Sequence, residues 1–159
     1  MTTCLSCQSN TGRERISPGP PIYEGQFWLI EHAYPTSLLG WTVIVLRRHA
    51  EALHDLTDAE CAELGRLQGA VARALRAAFG CAKEYSVCYA EVAGFEHIHF
   101  HMVPRAPGLP STQQGGAVFS HLKSPDPVVP APVVIRACEG LGRLISDALS
   151  SRSATARVD

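Results

Sequence analysis

No apolar run in this sequence approaches the length needed to cross a bilayer, so a membrane-spanning protein is not expected. Neither sign of charge dominates. Fourteen Lys and Arg stand against fifteen Asp and Glu, and the formal net charge of −1 removes the electrostatic basis for binding polymeric nucleic acid or an acidic membrane. A small nucleotide held in a pocket stays possible. The first residues, MTTCLSCQSNTGRERIS, lack the apolar stretch of a secretory signal. A cytoplasmic location is therefore the expectation, and thiols stay reduced there, so the six cysteines are not read as three disulfides. Internal repeats are lacking as well.

What is present fits one globular domain. The 159 residues are 46% hydrophobic and 18% charged, long enough to bury a real core. Cys4 and Cys7 precede a turn-rich Pro18-Gly19-Pro20-Pro21 lead-in. Ile22–Glu24, Phe27–Ile30 and the β-branched Trp41–Leu46 read as strands, and short connections favour antiparallel pairing. Thr57-Asp58-Ala59-Glu60 is a capping box that opens a helix over Asp58–Phe79, with Gly80 as its stop. Cys61, Leu64, Leu67, Val71, Leu75 and Ala78 recur at helical spacing as its buried stripe. Tyr85–Glu91 fits a further strand, Gly94 a turn, and Pro104 the end of the strand that follows it. Arg105–Pro130 reads as a long loop. Pro132 sits in the first turn of a last helix through Leu149, with a frayed tail from Ser150. Strands, helix, strands, helix is an α+β order.

The run His97-Ile98-His99-Phe100-His101-Met102-Val103 carries the chemistry. Strand side chains alternate between faces, so Ile98, Phe100 and Met102 point to a core and the three histidines to the other side. Imidazole serves as base, nucleophile or metal ligand near neutral pH, and a merely solvated face would be better served by Thr, Lys or Glu. Cys4-x-x-Cys7 is half of a common zinc site, with a redox pair as the alternative.

HIHFHMV followed by Pro104-Arg105 resembles the motif of the histidine-triad (HIT) family. Cys4-Leu5-Ser6-Cys7, the Gly40–Leu46 strand, Arg48-His49 and the following helix also fall in that family's order, so the resemblance spans roughly residues 4–105. It implies a five-stranded antiparallel sheet with one long helix and a C-terminal helix, usually paired into a homodimer. Residues 1–21 would be a zinc knuckle and lead-in, 22–105 the catalytic core, and 106–159 a C-terminal loop, helix and tail of a single domain.

By the same resemblance, the reaction is cleavage of a nucleoside 5′-phosphate derivative at the α-phosphate. His99 is the nucleophile, forming a nucleotidyl-histidine, and His101 binds and stabilises the phosphate. His99 needs an acceptor on its other ring nitrogen to present a lone pair. The acceptor molecule is water, phosphate or a sugar phosphate. In one branch of the family Cys4, Cys7, His49 and His97 would complete a closed, structural zinc site.

The chain departs from the family pattern in places. Gly40-Trp41 replaces the frequent Gly-His, and Trp41 either stacks on a base or leaving group or fills core. The usual Gly-Gln segment is absent from Ala93-Gly94-Phe95-Glu96, so Glu91 or Glu96 could bind ribose or donate a proton. The ribose-binding acid is expected near Ala33, with Glu31 and His32 adjacent. His121 has no partner visible in sequence, and Gln113–Gly116 reads as a lid or a surface loop. A zinc-stabilised nucleotide-binding or scaffold protein without catalysis is the rival reading.

Overall fold

The computed structural model describes residues 4–155. Cys4 caps a short helix, α1 (Leu5–Asn10), by accepting from the Cys7 backbone N–H. Strands β1 (Tyr23–Glu24), β2 (Trp28–His32) and β3 (Thr42–Leu46) follow, then the long helix α2 (Asp58–Phe79). Strands β4 (Lys83–Val87) and β5 (His99–Arg105), a single-turn helix α3 (Ser120–Lys123) and the helix α4 (Ala131–Thr155) complete the chain. The strands form one antiparallel sheet in the order β1-β2-β3-β5-β4. This is the α+β, five-stranded arrangement expected.

Register decides which side chains meet. Ile44 pairs with Ile30 on one side and Phe100 on the other. These residues, with Trp28, Leu46, Ile98 and Met102, pack against Leu64, Leu67, Val71 and Leu75 of α2 and Val134, Leu141 and Ile145 of α4. Burial of such side chains is worth roughly 1.5–3 kcal/mol each, so this face sets the register firmly. Two rows on the opposite face then follow by alternation: Glu31–Val43–His101 and Leu29–Val45–His99.

Helix α2 forms over the residues its signals predict. Thr57 Oγ1 accepts from the Glu60 N–H, Glu60 accepts from the Thr57 N–H, and Gly80 closes the helix at φ 59°, a left-handed conformation that suits glycine. Its buried stripe differs from expectation at two positions. Cys61 and Ala78 are exposed, whereas Ala70, Ala74 and the carboxylates Glu60 and Glu63 are buried. The carboxylates are buried because each has donors to satisfy it. Glu63 accepts from the backbone N–H groups of Gln26 and Phe27 in the β1–β2 turn, and Glu60 from Arg48.

Other boundaries also move. Pro104 lies within β5 and does not end it, because the ladder to β3 ends at Met102 and β5 beyond that point pairs with β4 alone. The strand expected at Tyr85–Glu91 lies at Lys83–Val87, which frees residues 88–98 as a loop. The segment 106–130 is not plain loop: it holds two 3₁₀ turns, Ser111–Gln113 and Gly115–Phe119, as well as α3. The last helix runs to Thr155, so residues 150–155 are helical; the rest of the expected tail, 156–159, lies outside the described residues. Among the described residues no helix is long and apolar enough to cross a membrane.

The Arg48–Glu60 pair fastens the segment after β3 to α2 through two short bonds, 2.6 Å and 2.8 Å. Arg48 holds the Glu60 carboxyl from its ordinary 4.5 down to about 2. A depressed carboxyl stabilises the folded state above its unfolded pKa and loses that contribution as pH falls through the folded value. Glu60→Gln should therefore cost about 2 kcal/mol near neutral pH and flatten the loss of stability between pH 4.5 and about 2, as read by urea unfolding across that range.

Candidate functional site

The face of the sheet opposite the main core opens into a cavity of about 780 Å³. Val43 and Val45 form its floor beside His99, His101 and Glu31. The β4–β5 loop contributes Tyr89, Glu91, Val92 and Phe95 to one wall. In that loop Ala90 has φ 53°, a left-handed conformation uncommon for alanine. Gly116, Phe119, Leu122 and Lys123 supply another wall.

His99 is held in one tautomer. Its Nδ1 lies 2.6 Å from the His97 carbonyl oxygen, an acceptor, so Nδ1 carries the proton and donates. Nε2 is left with a lone pair and no hydrogen-bond partner among the described residues. Burial lowers the pKa of His99, against a smaller opposing effect of that backbone bond, and so favours the neutral ring. A neutral imidazole nitrogen facing a cavity is a nucleophile in form. His101 sits beside it, ring centroids 4.9 Å apart. His97 does not share their role: it precedes β5, is fully buried, and turns away from the cavity.

Trp41 does not line the cavity. It is fully buried in a small cluster with Val103 and Val118, and its Nε1–H donates to His101 Nδ1 at 3.0 Å. The stacking alternative for Trp41 thus gives way to a position behind His101. Glu31, by contrast, is buried at the cavity, accepting from Ser9 Oγ at 3.1 Å and lying 3.0 Å from the Arg15 guanidinium. His32 is taken up by the turn after β2: Nδ1 donates to the Ala33 carbonyl at 2.7 Å and Nε2 accepts from the Gly40 N–H at 2.9 Å. Glu91 is exposed at the cavity mouth, on the loop and not at a strand end. Glu96 is exposed, accepts from the Gly94 N–H, and does not line the cavity.

A second cluster lies behind the triad strand. The side-chain donor atoms of Cys4, Cys7, His49 and His97 lie within 4.8 Å of one another. Cys4 Sγ and Cys7 Sγ are 3.4 Å and 3.5 Å from His97 Nδ1, Cys7 Sγ is 3.5 Å from His49 Nδ1, and the two Nδ1 atoms are 3.3 Å apart. A tetrahedral metal with bonds of about 2.3 Å to sulfur and about 2.0 Å to nitrogen needs S–N edges of roughly 3.5 Å and N–N edges of roughly 3.3 Å. The spacing therefore fits a metal ion. Each histidine also has an outer partner for Nε2–H, Leu46 O at 2.7 Å and Glu51 Oε1 at 3.1 Å, which leaves Nδ1 free to ligate. Without a cation, burial and the adjacent Cys4 raise the Cys7 thiol to about 11.

Sequence reasoning missed one clamp. His121 is not solitary. Its Nδ1 lies 2.7 Å from Ser37 Oγ and its Nε2 3.0 Å from Gln113 Oε1. It ties residues 113–123 to the β2–β3 connection and so sets Phe119, Leu122 and Lys123 against the cavity. The partners are 84 residues apart in one case, which no local pattern reveals.

The sequence model of the HIT domain matches residues 23–108, just over half of the chain. The chain belongs to the HIT family. No curated protein matches it. Among solved structures, a HIT-like protein from Bartonella henselae, described as involved in cell-cycle regulation, superposes with TM-score 0.65 at 16% identity, covering 86% of this chain and 92% of its own. A zinc-bound histidine-triad protein from Mycobacterium smegmatis gives 0.60 at 22% identity, with 96% of each chain covered. A hypothetical histidine-triad nucleotide-binding protein from Sulfolobus tokodaii gives 0.64 at 18% identity, with 93% of each covered. At these identities the likeness shows the shared HIT fold.

Removal of the clamp should loosen that cavity wall and leave the core intact. His121→Ala is expected to speed amide hydrogen exchange over residues 110–123 about tenfold, with α2 unchanged. Unchanged exchange in that segment would show that its packing alone holds it.

Proposed function

We propose that this HIT protein cleaves nucleoside 5′-phosphate derivatives at the α-phosphate through a nucleotidyl-histidine on His99. The observation that carries the reading is the Nδ1–H bond from His99 to the His97 carbonyl, 2.6 Å long, which leaves Nε2 as a lone pair at the cavity. In the first step Nε2 attacks the α-phosphorus. A P–N bond forms, the bond from phosphorus to the leaving group breaks, and the leaving group takes that electron pair. In the second step water attacks, a P–O bond forms as the P–N bond breaks, the water's proton passes to solvent, and a nucleoside monophosphate is released with His99 restored as a neutral ring. Splitting one displacement into two lowers the barrier of each.

Supporting groups follow from position. His101, adjacent on the same face, donates to the phosphate oxygens. Glu31 is the carboxylate suited to ribose hydroxyls, since its Oε1 faces Arg15 without an aligned hydrogen bond and retains accepting capacity at the cavity. Glu91, exposed at the mouth, is placed to reach a leaving group. Zinc is the metal we assign to Cys4, Cys7, His49 and His97. A closed Cys2His2 set leaves no open position, so its contribution is structural: it would neutralise two thiolates and tie α1 to the strand that carries His99.

His99→Ala should abolish turnover of adenosine phosphoramidates or dinucleoside polyphosphates, losing about 10³-fold or more, with its circular dichroism unchanged. Wild-type protein mixed with substrate and denatured at alkaline pH, where a P–N bond to imidazole survives, should carry a nucleotidyl mass on the peptide containing His99. Substantial turnover by the variant would overturn the assignment of His99 as nucleophile, and absence of turnover by the wild type would favour the binding-protein reading.

The metal assignment has its own readout. Purified protein should contain one zinc per chain by elemental analysis. Cys7→Ser should lose the metal and lower Tm by roughly 10 °C, whereas His99→Ala should keep both. A metal-free preparation of equal Tm would contradict the zinc.

A further inference from the structure

We propose that Trp41 is a positioning residue that fixes His101 as a neutral imidazole protonated on Nε2, so that His101 serves the reaction as a hydrogen-bond donor and not as its acid. The kinetic part of this inference rests on the reading that His101 meets the transferred phosphate; the tautomer itself does not.

The Trp41 Nε1–H only donates, and here it points at His101 Nδ1 from 3.0 Å. The Nδ1 atom must therefore present a lone pair, which places the proton of a neutral ring on Nε2. Trp41 is fully buried, so no solvent stands by to receive the indole N–H if the ring turns or gains a second proton. A doubly protonated His101 would set two N–H groups against each other across that 3.0 Å gap.

Among the described residues nothing around the ring compensates a positive charge. On its own strand the neighbour is His99, and Phe119 packs edge-on at 5.0 Å. The cross-strand partners are Val43 and Val87. The cavity carboxylates Glu31 and Glu91 make no bond to His101, and the remaining charged group of the cavity, Lys123, is itself a cation. Burial, with a lesser effect of His99, independently lowers His101 to about 3.

Two consequences follow for the chemistry. His101 stabilises the phosphate oxygens through the Nε2–H dipole, and its strength does not change with pH across the neutral range. It also has no acidic proton to give, since a neutral imidazole N–H is a very weak acid. The proton that reaches the leaving group comes from elsewhere, from solvent or Glu91 at the cavity mouth or from the substrate itself. A histidine in place of Trp41 could donate or accept and could titrate; tryptophan can only donate, which removes that freedom.

Long-range ¹⁵N–¹H correlation spectra of the histidine rings test the tautomer on the full-length protein without substrate. The expected result is an Nε2-protonated, Nδ1-bare signature for His101 that persists from pH ~5 to ~8. Trp41→Phe, and an isosteric benzothiophene residue at position 41 that keeps the volume without the N–H, should give mixed tautomers. Both should lower kcat about tenfold, the worth of one hydrogen bond, with KM little changed. Trp28→Phe is the control. It deletes another fully buried indole N–H, bound to Glu60 O at 2.9 Å, and should leave both readouts alone. His101→Gln, which offers a neutral N–H, should retain more turnover than His101→Ala. An Nδ1-protonated or cationic His101 in the native spectrum would overturn the proposal. So would an unaltered tautomer and kcat in the benzothiophene protein.

Discussion

The register of β5 against β3 is the constraint on which the site depends. Phe100 opposite Ile44, and Ile98 and Met102 with them, belong to the main core. A strand has two faces, so the same pairing obliges His99 and His101 to stand opposite Val45 and Val43, at the cavity. A slip of one residue would put two imidazoles into a core of Trp28, Leu67 and Leu75 and expose Phe100 and Met102. The energy that holds His99 in place is thus mostly hydrophobic and comes from the far side of the sheet.

Each triad histidine is then given a different task by what its other nitrogen meets. His97 is committed to the Leu46 carbonyl and turns Nδ1 toward Cys4, Cys7 and His49. His99 is committed to the His97 carbonyl and turns Nε2 to the cavity. His101 receives the indole N–H of Trp41. Three identical side chains are set apart by three different partners, two carbonyl acceptors and one indole donor, and the roles we propose for them as ligand, nucleophile and donor rest on that difference. The Cys2His2 cluster and the cavity share the short segment 97–99, so the ordering of one end of the triad bears directly on the other.

Much of this is written locally in the chain. The capping box at Thr57–Glu60 and the glycine at 80 delimit α2 because both act within one turn. The alternation over residues 97–103 assigns faces because a strand's period is two. The Cys4-Cys7-His49-His97 quartet is half legible, since Cys4 and Cys7 are neighbours while His49 and His97 come to them only through the sheet. What escapes is what depends on distant pairing. Trp41 meets His101 across β3 and β5, 60 residues away, and packing decides between cavity and interior for it. His121 meets Ser37 only after the C-terminal segment has folded back. Cys61 shows the opposite failure: it lies on the helical period with Leu64, Leu67 and Val71, yet it is exposed, while Glu60 and Glu63 beside it are buried because they find donors.

Stereochemistry at phosphorus separates a covalent intermediate on His99 from direct attack by water. A substrate whose α-phosphorus is a single-handed phosphorothioate, turned over in isotopically labelled water, records each displacement as one inversion. Attack by His99 Nε2 followed by attack of water gives two inversions and net retention, which is the predicted result. Net inversion would mean that water displaces the leaving group in one step, and that His99 is not the nucleophile.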